Sequence, residues 1–114
     1  MKLECQLQPE IGVFVVRSDI SESDSDQLCQ AINEYIAQGG RDIVIDLSEV
    51  DAIDSRCLET LLRLQEETED RLGQFGIGGV SNTVDLVLLV TRLTSRFRLF
   101  GSSEEAIRQM KEVA

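Results

Sequence analysis

The stretch of residues 43–64 reads IVIDLSEVDAIDSRCLETLLRL, an apolar strand pattern followed by a helical one. Its first part, residues 43–47, is short, apolar and β-branched, which is typical of a strand buried on both faces. Its last part places Leu58, Leu61 and Leu62 at helical spacing and so predicts an amphipathic helix. A buried strand followed by such a helix indicates an α/β fold.

The residues before this stretch predict a hairpin and a helix. Leu3, Cys5 and Leu7 alternate with polar residues, and an apolar run at 12–16 follows, so we expect two paired strands. Apolar residues then recur at helical spacing from 28 to 36, and two glycines follow, which predicts a helix that stops there.

The residues after it predict two further strands and two further helices. We expect a strand over 75–80, a short strand over 97–100, and a terminal helix capped by Ser102 or Ser103. The apolar residues 84–93 fit either a short buried strand or a helix that starts near Asn82, and their length favours the helix. The predicted order is β-β-α-β-α-β-α-β-α, an α/β fold in a single domain spanning 1–114, with the strands in one sheet and the helices packed on it.

The amino-acid composition disfavours several classes of function. The chain has 21 acidic and 11 basic residues, a formal charge of −10, so nucleic acid and anionic membrane surfaces are unfavourable partners. No apolar run is long enough to span a bilayer, and we expect a cytoplasmic protein. The chain has no histidine, the usual acid–base catalyst at neutral pH, so an enzyme or a metal cofactor is not expected.

The cysteines and the acidic segment carry two weaker signals. Cys5, Cys29 and Cys57 are odd in number and widely spaced, so we expect reduced thiols in a monomer or weak dimer. Near a helix start, Cys57 is either a nucleophile with a lowered pKa or, as we favour, a small half-buried unreactive thiol. The acidic segment 19–26 lacks EF-hand spacing, and we interpret it as a solvated loop.

The glycines at 76, 78 and 79 precede Ser81 and a predicted helix, which is where a phosphate-binding loop would lie. The lysine and the further glycine of the known phosphate-binding motifs are missing. We therefore favour glycines that let a helix pack closely on the strand.

The pair Asp54-Ser55 places a hydroxyl beside a carboxylate at the predicted strand-to-helix junction. Backbone N–H groups without intrahelical partners lie there, so a serine at this point is either the N-cap of the helix or an exposed site that receives an anionic modification.

In these features the chain resembles the STAS-domain anti-sigma-factor antagonists of bacterial partner-switching systems. The resemblance covers nearly the whole chain and rests on the element order, on the run from Ile43 to Ser55 with Leu58 after it, and on Val80-Ser81 leading into the third helix. It implies a mixed central sheet with about four helices. In that family the motif Asp-Ser-[Ser/Thr/Ala]-Gly-[Leu/Ile] follows the central strand, and its first serine is phosphorylated by a partner anti-sigma factor kinase.

The resemblance therefore implies that Ser55 is the phosphoacceptor and that Asp54 and Leu58 are motif residues. The expected partner is an anti-sigma factor or related serine kinase, with a phosphatase to reverse the modification, in the regulation of transcription. The chain departs from the motif at Arg56 and Cys57, which replace the small residue and the glycine. Ser21 likewise replaces the family's aspartate before the first helix.

The residues expected to bind the partner are Asp19, Ser21, Asp54, Ser55, Arg56, Cys57, Leu86 and Leu89. The two leucines are included because the predicted third helix is apolar around more than one stripe, so some of its side chains must face solvent. The alternatives are an acyl-carrier-type protein with phosphopantetheine on Ser55, a STAS scaffold component that is not phosphorylated, and a small enzyme that uses Cys57.

Overall fold

Five strands form one sheet in the structure, a computed structural model that describes residues 3–17, 19 and 22–113. They are β1 (Leu3–Leu7), β2 (Ile11–Val16), β3 (Asp42–Leu47), β4 (Phe75–Val80) and β5 (Leu99–Phe100). Their spatial order is β1-β2-β3-β4-β5, with β1 antiparallel to β2 and the remaining pairs parallel. The predicted hairpin and the predicted central strand are both confirmed.

Four helices lie in the described part of the chain: α1 (Glu22–Ala37), α2 (Ser55–Asp70), α3 (Asn82–Val90) and α4 (Ser103–Val113). Helices α1, α2 and α3 bury their apolar stripes on one face of the sheet, where they form the larger core. Helix α4 covers the other face, where Ala106 and Met110 pack against Val13, Val15 and Val44. The predicted α/β class and mixed sheet are confirmed.

The glycines of β4 let α4 pack closely. A Cβ atom added at Gly76 would lie 2.6 Å from the Phe100 ring and 2.8 Å from Met110 Cε, and one added at Gly78 would lie 2.6 Å from Ser103 Cα. Real side-chain carbons do not approach so closely, so a larger residue would push α4 off the sheet. The packing interpretation is confirmed for Gly76 and Gly78, whereas Gly79 contacts no helix in the described part of the chain and has a backbone φ of 90°.

Helices α2 and α3 end in the same hydrogen-bonding pattern. Leu72 N–H donates to Glu69 O and Gly73 N–H to Thr68 O, while Arg92 N–H donates to Leu89 O and Leu93 N–H to Leu88 O. These are Schellman motifs, whose penultimate position takes a left-handed backbone and is usually glycine. Here Leu72 has φ 64° and Arg92 has φ 63°. Both helix ends therefore hold a non-glycine residue in the left-handed region.

Candidate functional site

The candidate site lies where the carboxyl ends of the parallel strands β2, β3 and β4 meet. In open α/β sheets this edge is the usual place for binding residues, because the loops that leave the strands converge there. The segment after β2 contains Asp19, the segment after β3 is 48–54, and β4 leads directly into Ser81. Residues distant in sequence are thereby brought to one loop cluster.

Asp54 lies directly before helix α2. Its backbone is extended, with φ −103° and ψ 175°, and its carboxylate accepts a hydrogen bond from Cys57 N–H at 2.9 Å. Asp54 is therefore the N-cap, and the interpretation of Ser55 as the cap is wrong. Ser55 is instead the first helical residue, and its side chain is exposed. Its hydroxyl forms no hydrogen bond within the described part of the chain.

Asp19 holds the loop that leads to Ser55. Its Oδ1 accepts hydrogen bonds from Asp51 N–H at 2.9 Å and from Ala52 N–H at 3.0 Å. A charged acceptor on two backbone donors is a strong arrangement, which fixes this turn to the segment after β2. Asp19 is thus a structural ligand of the loop, which corrects its assignment to a merely solvated acidic segment. Ser21, predicted beside it, lies outside the described residues.

Ser81 joins the loop to the third helix, a role that the sequence interpretation missed. Its hydroxyl donates to Val50 O at 2.5 Å and accepts from Val84 N–H at 3.2 Å, so one side chain caps α3 and satisfies a carbonyl of the loop before Ser55. A serine directly before a predicted helix start is an N-cap signal that could have identified half of this role. The contact with Val50 has no local signature.

An ion-pair network ties the edge strand to the same loop. Arg17 at the end of β2 donates to Glu4 on β1 and, at 2.6 Å, to Glu49 after β3. The Arg17 hydrogen bond lowers the pKa of the Glu4 carboxyl. These groups are exposed, so each pair contributes little by itself, but together they connect three segments of the sheet edge. Sequence patterns gave no indication of this network.

Cys57 is buried, with 2% of its surface exposed. Burial, and then the Asp54 carboxylate and Cys29, raise the pKa of its thiol to about 12. A thiol that stays protonated at neutral pH is neither a nucleophile nor a ready contact for a partner. The buried, protonated thiol argues against the alternative of a small enzyme that uses Cys57, and its predicted contact with a partner would require the helix start to open.

The charges around Ser55 are mixed. The side chains of Asp51, Asp54 and Arg56 are exposed on either side of it. In the described residues no group of three or more metal-binding side chains could hold a metal ion, and no helix there has the length and apolar character needed to cross a membrane. The site is an exposed loop and helix start.

The leucines predicted on the third helix lie apart from this loop. Leu86 is 59% exposed and Leu89 is 65% exposed, while Val84 and Leu88 on the opposite side of α3 are buried. Their predicted exposure is confirmed. Ser81 connects the start of α3 to the Ser55 loop, but the two leucines follow one and two turns further along the helix.

Comparison with known families and structures agrees with this architecture. The sequence model described as "Mlab, STAS domain" matches residues 4–100, most of the chain. The chain therefore belongs to the STAS domain family, as its sequence resemblance predicted. The acyl-carrier alternative is excluded, because those carriers are all-helical and this protein is built on a five-stranded sheet.

Solved structures share the fold at low sequence identity. The anti-sigma factor antagonist SpoIIAA in its unphosphorylated form is 19% identical, with a TM-score of 0.83 over 99% of both chains. The Bacillus cell fate determinant SpoIIAA in the phosphorylated form is 19% identical, with a TM-score of 0.75 over 95% of this chain and 98% of that chain. An anti-sigma factor antagonist from Mycobacterium paratuberculosis is 24% identical, with a TM-score of 0.77 over 96% of this chain and 93% of that chain.

Proposed function

We propose that this STAS domain is a non-catalytic anti-sigma-factor antagonist that acts by partner switching in the cytoplasm. Its partner is an anti-sigma factor or a related serine kinase, which phosphorylates Ser55, and a phosphatase restores the free hydroxyl. The observation that carries the proposal is the division of roles at the start of α2. Because Asp54 caps the helix, the exposed Ser55 hydroxyl can be modified without loss of the cap.

Phosphorylation would change the charge of this surface more than its fold. A phosphate adds about −1.5 to −2 charges at pH 7, close to the carboxylates of Asp51 and Asp54. The first N–H groups of α2 favour an anion at that position, so the free domain tolerates the group. In a complex, the same charge must be desolvated beside the partner, and the complex is weakened.

The solved structures with the same fold support this proposal because one of these proteins occurs with and without phosphate. SpoIIAA is described as an anti-sigma factor antagonist and has structures in unphosphorylated and phosphorylated forms. The shared fold supports the same kind of switch for this chain, and the sequence keeps the family motif at Asp54, Ser55 and Leu58.

The test compares Ser55→Asp with Ser55→Ala in binding to the partner recovered from a native extract. We expect Ser55→Asp to weaken the complex by roughly 1 to 3 kcal/mol, the cost of an unpaired charge in an interface. Its melting temperature should stay within a few degrees of wild type. Mass spectrometry of the wild-type protein should find phosphate on Ser55, and Ser55→Ala should bind normally and resist release by the kinase.

Two control variants sharpen the test. Asn82→Asp places the same charge at the first residue of α3 and should leave the complex nearly unchanged. The double variant Ser55→Asp with Arg56→Ser removes the cation that would neutralise the new carboxylate. If the double variant binds like wild type, Ser55 has no regulatory role.

A second candidate is a STAS scaffold component that binds its partner without phosphorylation. It is favoured by Arg56 and Cys57, which make this turn bulkier than the small residue and glycine of the family motif. A partner complex that forms with wild type, while Ser55 carries no phosphate and tolerates both substitutions, would select this candidate.

A further inference from the structure

The segment from 86 to 103 has a charge opposite to the rest of the molecule. It contains three arginines, Arg92, Arg96 and Arg98, and no acidic residue, in a chain whose formal charge is −10. All three arginine residues are exposed. Arg98 is partly engaged, since it donates to Gln74 Oε1 at 2.8 Å and lies over the Phe100 ring. Arg92 and Arg96 form no ion pair within the described part of the chain.

An apolar face lies directly before these arginines. Leu86, Leu89 and Val90 are spaced i, i+3 and i+4 on α3, so they share one side of the helix. Val90 is 73% exposed, more than either leucine. A short helix that exposes three large apolar side chains together, while Val84 and Leu88 bury its other side, presents a contiguous patch of the kind that marks an interaction surface.

Arg92 connects the apolar face to the basic segment at a conformational cost. Its backbone is left-handed, with φ 63°, at the Schellman position where glycine is favoured. Its N–H donates to Leu89 O at 3.1 Å, so its backbone is hydrogen-bonded to a residue of the apolar face.

We propose that Leu86, Leu89, Val90, Arg92 and Arg96, together termed the α3 surface, bind an acidic amphipathic helix of a partner protein. The apolar triad fits the apolar stripe of such a helix, and the arginines pair with carboxylates that flank the stripe. Asp85, one turn before Leu89, favours the orientation that keeps those carboxylates at the arginine end. An anionic membrane fits less well, because the rest of the molecule would repel it.

The α3 surface is distinct from the phosphorylation site proposed at Ser55. A synthetic peptide that binds only the α3 surface tests it independently of Ser55. The probe is a helical peptide with leucine at i, i+3, i+4 and i+7 and glutamate on the flanks. A matched peptide carries lysine in place of every glutamate. Binding is followed through the backbone amide resonances of the full-length protein.

We expect the glutamate peptide, and not the lysine peptide, to shift the amides of residues 86–96. Leu89→Glu should weaken this binding about tenfold or more, the effect of losing a central apolar anchor. Arg92→Gly should weaken it while raising the melting temperature, since glycine relieves the left-handed backbone. A binding loss in a more stable variant cannot be attributed to unfolding.

Leu72→Gly is the matched control, because it makes the same backbone change at the end of α2. It should raise the melting temperature and leave peptide binding unchanged, and Ser55→Asp should also leave it unchanged. No binding at about 1 mM peptide, equal binding of the lysine peptide, or shifts confined to other residues would overturn the proposal. If the protein binds no peptide but sediments with phosphatidylglycerol vesicles, the surface binds lipid instead. Self-association abolished by Leu89→Glu, without peptide binding, would assign it to a second copy.

Discussion

Helices α2 and α3 begin with the same geometry at the same edge of the sheet, yet the two starts are held differently. Asp54 and Ser81 are the N-caps, and the third residues, Cys57 and Val84, are both buried and donate their N–H groups to the cap side chain. The Ser81 hydroxyl also donates to Val50 O, whereas the Asp54 carboxylate is exposed. The cap of α3 is therefore also hydrogen-bonded to a neighbouring loop, whereas the hydrogen bond of the α2 cap is made within its own helix start.

This difference explains why one serine is structural and the other is available. At α3 the serine is the cap, so its hydroxyl is fully used. At α2 the cap is an aspartate, and the serine is the first helical residue, where the hydroxyl faces solvent. Modification of Ser55 would leave the Asp54 cap in place, whereas a phosphate on Ser81 would remove the hydroxyl proton that Ser81 donates to Val50 O.

The largest expected difference between the two helix starts appears at high pH. Cys57 has a pKa near 12 in the folded protein, against about 8.5 to 9 when unfolded. Below pH 9 the thiol is neutral in both states and contributes nothing. Above pH 9 the unfolded state ionises first, so the free energy of unfolding should fall by about 1.4 kcal/mol for each pH unit up to pH 12.

Cys57→Val, which copies the residue that α3 uses at this position, should remove that slope. Urea unfolding of both proteins at pH 8 and pH 11 measures it, and we expect the variant to lose roughly 3 kcal/mol less than wild type between these values. Tyr35 and Cys5, whose pKa values are also raised, are present in both proteins and cancel. Parallel pH profiles would contradict the burial of the thiol.

Loss of the Ser81 hydroxyl, which caps α3, should have the next largest effect on the free energy of unfolding. Ser81→Ala should destabilise the protein by about 2 kcal/mol, because it removes the cap and leaves the Val50 carbonyl without its donor. The melting temperature should fall by about 10 °C. Ser81→Thr keeps the hydroxyl and serves as the control. An alanine variant as stable as the threonine variant would show that Val50 finds another donor.

The element order and the central strand could be predicted from the sequence because they depend on local periodicity. The cap of α2 could not, because aspartate and serine are equally good caps and adjacent residues differ only in backbone angles. The contacts of Asp19 with Asp51 and of Ser81 with Val50 each span more than 30 residues. Such pairings depend on strand order, which no local pattern encodes. Exposure of Leu86 and Leu89 was predictable, because a short helix cannot bury every side.

Removing the cap of α2 should cost less than removing that of α3. Asp54→Ala is expected to destabilise the protein by about 1 kcal/mol, since only one helix N–H loses its acceptor and the site is exposed. Asp54→Asn retains a capping oxygen and should recover most of the loss. Urea unfolding at pH 7 distinguishes the two variants, and an equal loss from both would mean that charge alone stabilises the helix start.

The smallest effect on stability should come from Ser55. Since its hydroxyl forms no hydrogen bond in the described residues and α2 keeps its Asp54 cap, Ser55→Ala should change the free energy of unfolding by less than about 0.5 kcal/mol. The same substitution should abolish phosphorylation and release by the kinase. A loss of about 1 kcal/mol, equal to that of Asp54→Ala, would return the capping role to Ser55. In that case the separation of cap and modification site, on which the contrast between α2 and α3 depends, would be lost.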